Sequence, residues 1–98
     1  MPDHRQEKKM IETTIIIKNK SGLHARAATR FVEIASRFTS NIALGNENQF
    51  VDGKNILSLM LLAASQGSEL FLKIEGNDEK EAFAAVSTLI DAGFNEDS

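Results

Sequence analysis

Thr13-Thr14-Ile15-Ile16-Ile17-Lys18 runs directly into Asn19-Lys20-Ser21-Gly22-Leu23-His24-Ala25-Arg26-Ala27-Ala28-Thr29-Arg30-Phe31-Val32, and the reading of this stretch decides the fold. The first segment is dense in β-branched residues, whose stiff side chains suit extended backbone, and reads as a strand. Asn19 to Gly22 is turn chemistry. From Ala25 to Phe38 the period changes, and Ala28, Phe31, Val32, Ala35 and Phe38 fall on one apolar stripe of a helix. Arg26, Arg30, Glu33 and Arg37 share the opposite face, with Glu33 and Arg37 spaced for an i,i+4 pair. His24 stands where this helix begins.

Working downstream, Ile42 to Gly45 and Gln49 to Asp52 read as two short strands joined by a Gly-Asn-Glu-Asn turn. Asn55 is a good N-cap for a helix from Ile56 to about Ser65, with Gly67 near its C-cap. Glu69 to Glu75 alternates, with Leu70, Leu72 and Ile74 on one face, as in a half-buried strand. Asp78 and Glu81 fit an acidic variant of the capping box for a last helix carrying Ala82, Val86, Leu89 and Ile90. Gly93 terminates that helix and Phe94 folds back on it. The order is βαββαβα, which implies an α+β open-faced β-sandwich: a four-stranded, mainly antiparallel sheet with three helices on one face. Working upstream, residues 1–10 are polar and without period, a flexible lead-in. The domain then spans 11–94, and 95–98 form an acidic tail.

Composition narrows the function. A chain of 98 residues is one domain with one modest core. The net charge of −3 argues against nucleic acid as a partner. The absence of cysteine removes disulfides, thiol catalysis and thiolate metal sites. His4 and His24 are too far apart in sequence to argue for a metal, and neither metal nor cofactor is expected. The longest apolar run, Ile56 to Ala64, is too short to enter and cross a bilayer, and the polar start has no signal-peptide core. A cytoplasmic domain is expected.

The chemistry lies at His24. A helix start exposes unpaired N–H groups and the positive end of the helix dipole, so it attracts anions. A neutral imidazole there has a lone pair available near neutral pH and is able to accept a phosphoryl group. The amides of Ala25 and Arg26 and the Arg26 guanidinium are placed to hold the phosphoryl oxygens. Small residues at Ala25, Ala27 and Ala28 leave room for a partner, and Ser21 is positioned to bond the ring or the loop. The residues alone leave a second reading open: a helix-start histidine is commonly a cap or surface group, and the arginines a solvated face.

Ser21-Gly22-Leu23-His24-Ala25-Arg26, with Ala28, Phe31 and Val32 behind it, resembles the active-site motif of the HPr family, histidine phosphocarriers of the bacterial phosphotransferase system. The resemblance covers about Met10 to Gly93. It implies that His24 is the phosphoacceptor through Nδ1 and Arg26 its electrostatic partner, with Ser21, Gly22, Ala25 and Ala27 forming the phosphate-binding loop. It implies an enzyme I-type donor charged by phosphoenolpyruvate and an EIIA-type acceptor, met by a monomer that is a carrier and not an enzyme. It also implies that partners dock on the first two helices, where Leu57, Met60, Leu61 and Arg30 are the candidates. Leu57 and Leu61 lie well round the second helix from the stripe of Ile56, Leu59 and Ala63. Their other reading is a deeper core contact.

Two positions depart from the family. Ala27 stands where the family has proline, so the first helical turn lacks a fixed φ, and a retained but less preorganised site is expected. Asn55 stands where regulated members carry a serine phosphorylated by a kinase, and asparagine cannot be phosphorylated; Ser58 reads as structural. Asn55, the apolar second helix and the Ala-Gly-Phe-Asn-Glu-Asp ending lean toward the nitrogen-related branch. A non-phosphorylated, HPr-like regulatory interaction module is the alternative of a different class.

Overall fold

The computed structural model describes residues 10–96. The expected lead-in up to residue 9, His4 included, and residues 97–98 of the expected tail lie outside the described residues. The elements are β1 (Ile11–Ile16), α1 (Ala25–Ala35), β2 (Asn41–Gly45), β3 (Phe50–Asp52), α2 (Ile56–Met60), β4 (Glu69–Glu75) and α3 (Glu79–Asp91), then a 3₁₀ turn over Gly93–Asn95. Sheet order is β1-β4-β2-β3, with every neighbouring pair antiparallel. This is the βαββαβα open-faced sandwich expected.

Register explains which face is buried. Ile11 and Ile15 pair with Ile74 and Leu70 on β4, while Ile42 and Leu44 pair with Ile74 and Leu72 from the other side. Period-2 alternation therefore puts all of these on one face. Phe31 and Ala35 of α1, Leu59 of α2, and Val86 and Ile90 of α3 join them in the core. The opposite face carries Phe50, Phe71 and Lys73, whose ammonium sits 4.5 Å from the centre of the Phe50 ring.

Several boundaries differ from the sequence reading, each for a physical reason. β1 begins two residues earlier and stops at Ile16, but Ile17 continues into the core and still exchanges bonds with Ser68 O and Gly67 N. α1 stops at Ala35, and Arg37 lies in the following turn, so the expected Glu33–Arg37 pair does not form. That following turn is secured from outside: Lys54 Nζ donates to Phe38 O at 2.7 Å. α2 has only five residues. Asn55 Oδ1 caps it through Ser58 N, as expected, but the chain unwinds after Leu61 and first turns left-handed at Ala63 (φ 49), ahead of Gly67 (φ 90). Unwinding turns the Ala64 carbonyl toward Leu23 N, which donates to it at 2.8 Å.

The expected capping box at Asp78 and Glu81 does not form either. The Asp78 carboxylate accepts instead from Thr39 N and Ser40 N, both at 2.9 Å, and from the Ser40 hydroxyl. It fastens the start of β2 to the start of α3. These bonds, the Ser40 hydroxyl foremost, hold the Asp78 pKa down to about 2. A carboxylate with a depressed pKa stabilises the fold fully above its ordinary pKa and loses that contribution as pH falls through the folded value. Parent and Asp78→Ala are therefore expected to differ in thermal midpoint by a constant amount above about pH 5 and to converge toward about pH 2. A gap unchanged across that window would show that the ionised form is not what stabilises.

Candidate functional site

Asn19 and Gly22 build the loop that delivers the histidine. Gly22 N donates to Asn19 O at 3.1 Å, and Asn19 Nδ2 returns a bond to Gly22 O at 2.7 Å. Gly22 has φ +73, and a Cβ built on it would overlap the Ala64 carbonyl oxygen and lie 2.9 Å from Ser65 Cα. Only glycine lets the β1–α1 loop rest on the segment that follows α2.

His24 is the N-cap of α1, with extended backbone (φ −88, ψ −175) and its ring folded over the first turn. Nδ1 accepts from Arg26 N at 3.2 Å, while Nε2 meets Glu96 Oε2. A nitrogen that accepts an N–H carries no proton, so the neutral ring is protonated on Nε2 and donates from there to the carboxylate. The nitrogen left with a lone pair is Nδ1, at the positive end of α1. The Glu96 pKa is lowered, first by the bond from His24 and then by that from Asn19, so the group is ionised at neutral pH.

The proposed site residues divide. Arg26 is exposed and its charge reaches Glu96, and Ala25 is exposed beside His24. Ala27 and Ala28 are both fully buried. They pack the core and do not open space over the imidazole, contrary to the expectation from their size; Ala27 offers a phosphate only its first-turn amide. The helix starts regularly at this alanine, with Ala28 N donating to His24 O at 2.8 Å. The Ser21 hydroxyl makes no hydrogen bond to the ring.

Leu57 and Leu61 are 75% and 69% exposed and Met60 38%, so they do not make the deeper core contact. They form an apolar patch on α2, which packs on α1. Arg30 is not part of a solvated face: its Nη1 donates to Phe94 O at 2.6 Å and Asn95 O at 3.0 Å. Sequence reasoning missed Asn19 and Glu96, having read one as turn chemistry and the other as tail. The signal available was Phe94, because a buried aromatic just past the last helix pins whatever follows it. Among the described residues no group of His, Cys, Asp and Glu is arranged to hold a metal, and no helix is long and apolar enough to cross a membrane.

Comparison with known proteins gives a consistent picture. The family model for the PTS HPr component phosphorylation site matches residues 11–92. The phosphocarrier protein HPr of Xylella fastidiosa is 45% identical over 89 residues, covering 91% of this chain and 100% of that one. The HPr-like protein Crh of Halalkalibacterium halodurans is 44% identical over 82 residues, covering 84% and 98%. Among solved structures, HPr of Thermoanaerobacter tengcongensis superposes with a TM-score of 0.84 at 46% identity, covering 90% of this chain and 99% of that one.

Proposed function

The chain belongs to the HPr family, carriers and not enzymes in the phosphotransferase system, and from that premise we propose that His24 Nδ1 takes a phosphoryl group from an enzyme I-type donor and passes it to an EIIA-type acceptor. The observation that carries the reading is the state of the ring: Nε2 is committed to Glu96, and Nδ1 offers its lone pair at a helix N-terminus. In-line attack by Nδ1 needs little beyond positioning and charge stabilisation. The Arg26 amide, which now bonds Nδ1, is the donor nearest the incoming oxygens, and the Arg26 side chain supplies the compensating charge. Ser21, Gly22, Ala25 and Ala27 shape the loop around it. Leu57, Met60 and Leu61 form the docking patch, and a cytoplasmic monomer suits a shuttle that shows one site to two partners in turn.

Incubation with enzyme I and labelled phosphoenolpyruvate tests this. An acid-labile, base-stable label supports it, and no labelling by several enzyme I types would sink it. Arg26→Ala is expected to slow transfer by about ten- to hundredfold, the worth of one hydrogen bond to a charged group. An exposed side chain should leave the thermal midpoint nearly unchanged; a large drop would make Arg26 structural.

A nitrogen-branch carrier is the second reading, favoured by the exposed apolar patch on α2 and by Asn55 serving as a cap that cannot be phosphorylated. Transfer from the labelled protein to sugar-type and regulatory EIIA acceptors, run in parallel, separates the two branches.

A further inference from the structure

The transfer chemistry above takes from the carboxylate on the far edge of the imidazole only which ring nitrogen is free. We propose that Glu96 is a positioning residue for phosphoryl transfer, holding the His24 ring as the Nε2–H tautomer and balancing the charge that the ring gains when Nδ1 is phosphorylated. The proposal rests on the phosphocarrier reading. It assigns a role to a residue beyond the family match, which ends at residue 92.

Glu96 is placed from three directions. Phe94 is fully buried and, with Asn95, takes left-handed backbone (φ 58 and 61), a conformation that L-residues avoid and that here turns the chain back toward α1. Arg30 of α1 clamps the carbonyls of both. Asn19, in the β1–α1 loop, donates from Nδ2 to Glu96 Oε1 at 3.1 Å, leaving Oε2 for the ring. The Glu96 side chain is only 9% exposed, against 33% for His24. A carboxylate fixed by a core aromatic, a helix arginine and the loop that carries the histidine is built into the site.

The step balances without another reactant. The Nδ1 lone pair attacks phosphorus, the bond from phosphorus to the donor breaks, and its electrons return to the donor. The Nε2 proton stays in place. The ring thereby gains a positive charge, spread over both nitrogens, directly opposite the Glu96 carboxylate. An acceptor reverses the sequence, taking the phosphoryl group and returning the ring to the neutral Nε2–H form. A carboxylate that orients an imidazole and fixes its tautomer through the nitrogen not doing chemistry serves histidines in other settings as well.

The test uses the full chain with Glu96→Gln and Glu96→Ala, read two ways. Long-range ¹H–¹⁵N correlations of the imidazole at about pH 8, where an ordinary histidine is neutral, should show in the parent an unprotonated Nδ1 and a resolved Nε2–H proton. Gln, still an acceptor, should keep that pattern; Ala should lose the resolved proton and gain Nδ1–H population. Transfer from enzyme I should fall a few-fold in Gln and about tenfold in Ala, the scale of lost orienting partners, with both variants melting within a few degrees of the parent. A parent ring without the Nε2–H pattern overturns the proposal, as does an Ala variant that transfers at the parental rate or faster. A parent that takes no label removes the carrier reading instead, and the tautomer spectrum, which needs no donor, still decides whether Glu96 holds the ring.

Discussion

Replacing His24 by alanine is expected to abolish phosphoryl incorporation from enzyme I while the domain still folds. The chain has one other histidine, His4, within the segment read as a lead-in, so a retained acid-labile label in His24→Ala would move the acceptor there and end the present assignment. The fold should lose little. Alanine removes the cap that Nδ1 supplies to Arg26 N, a loss of about 1 kcal/mol, which lowers the midpoint of a domain of this size by about 5 °C. Abolished transfer with so small a change in stability is the signature of a chemical role.

The second large effect is on stability. Gly22→Ala forces an L-residue to hold φ +73 and sets its Cβ against the Ala64 carbonyl and 2.9 Å from Ser65 Cα. The left-handed backbone costs about 1 kcal/mol or more, and backbone cannot give way as a side-chain tip can, so overpacking adds roughly 1–3 kcal/mol. The sum, about 3 kcal/mol, is a large share of the 5–15 kcal/mol typical of a domain and implies a midpoint lower by about 15 °C. Relief by local movement would break the Leu23–Ala64 bond and tilt His24, so transfer should fall even in the molecules that remain folded. Calorimetry checks the first consequence, and labelling well below the midpoint checks the second. A variant that melts with the parent would show that the β1–α1 loop does not depend on this close approach.

How much of this was legible in the sequence depended on the range of the interactions. β4 was readable to its ends because alternation from Glu69 to Glu75 is a local signal, and Asn55 was readable because a cap bonds three residues away. α2 was overextended because Leu62 and Ala64 continue the apolar pattern past Leu61. What ends the helix is the demand of Leu23 N for the Ala64 carbonyl, a bond between segments far apart in the chain. Asp78 looked like a cap for the same reason of scale: its real partners, Thr39 and Ser40, are distant in sequence. The site followed suit. His24 and Arg26 announced themselves through a compact motif, whereas Glu96 and Asn19 reach the ring only because Phe94 is buried and Arg30 holds the turn around it. Small size alone does not say which way Ala27 faces, whereas Ala28 already falls on the apolar stripe with Phe31, and that periodicity, not its size, says that it is buried.

The bond from Arg26 N to His24 Nδ1 has a consequence for how loaded and empty carriers are told apart. On the proposed chemistry the amide exchanges one acceptor for another, a ring nitrogen for a phosphoryl oxygen, and the end of α1 is satisfied in both states. Delivery then requires no refolding, and the two states share nearly one shape. A donor that must bind the empty carrier and an acceptor that must bind the full one then discriminate by the phosphoryl group itself, its charge above all, which makes the traffic between them sensitive to ionic strength.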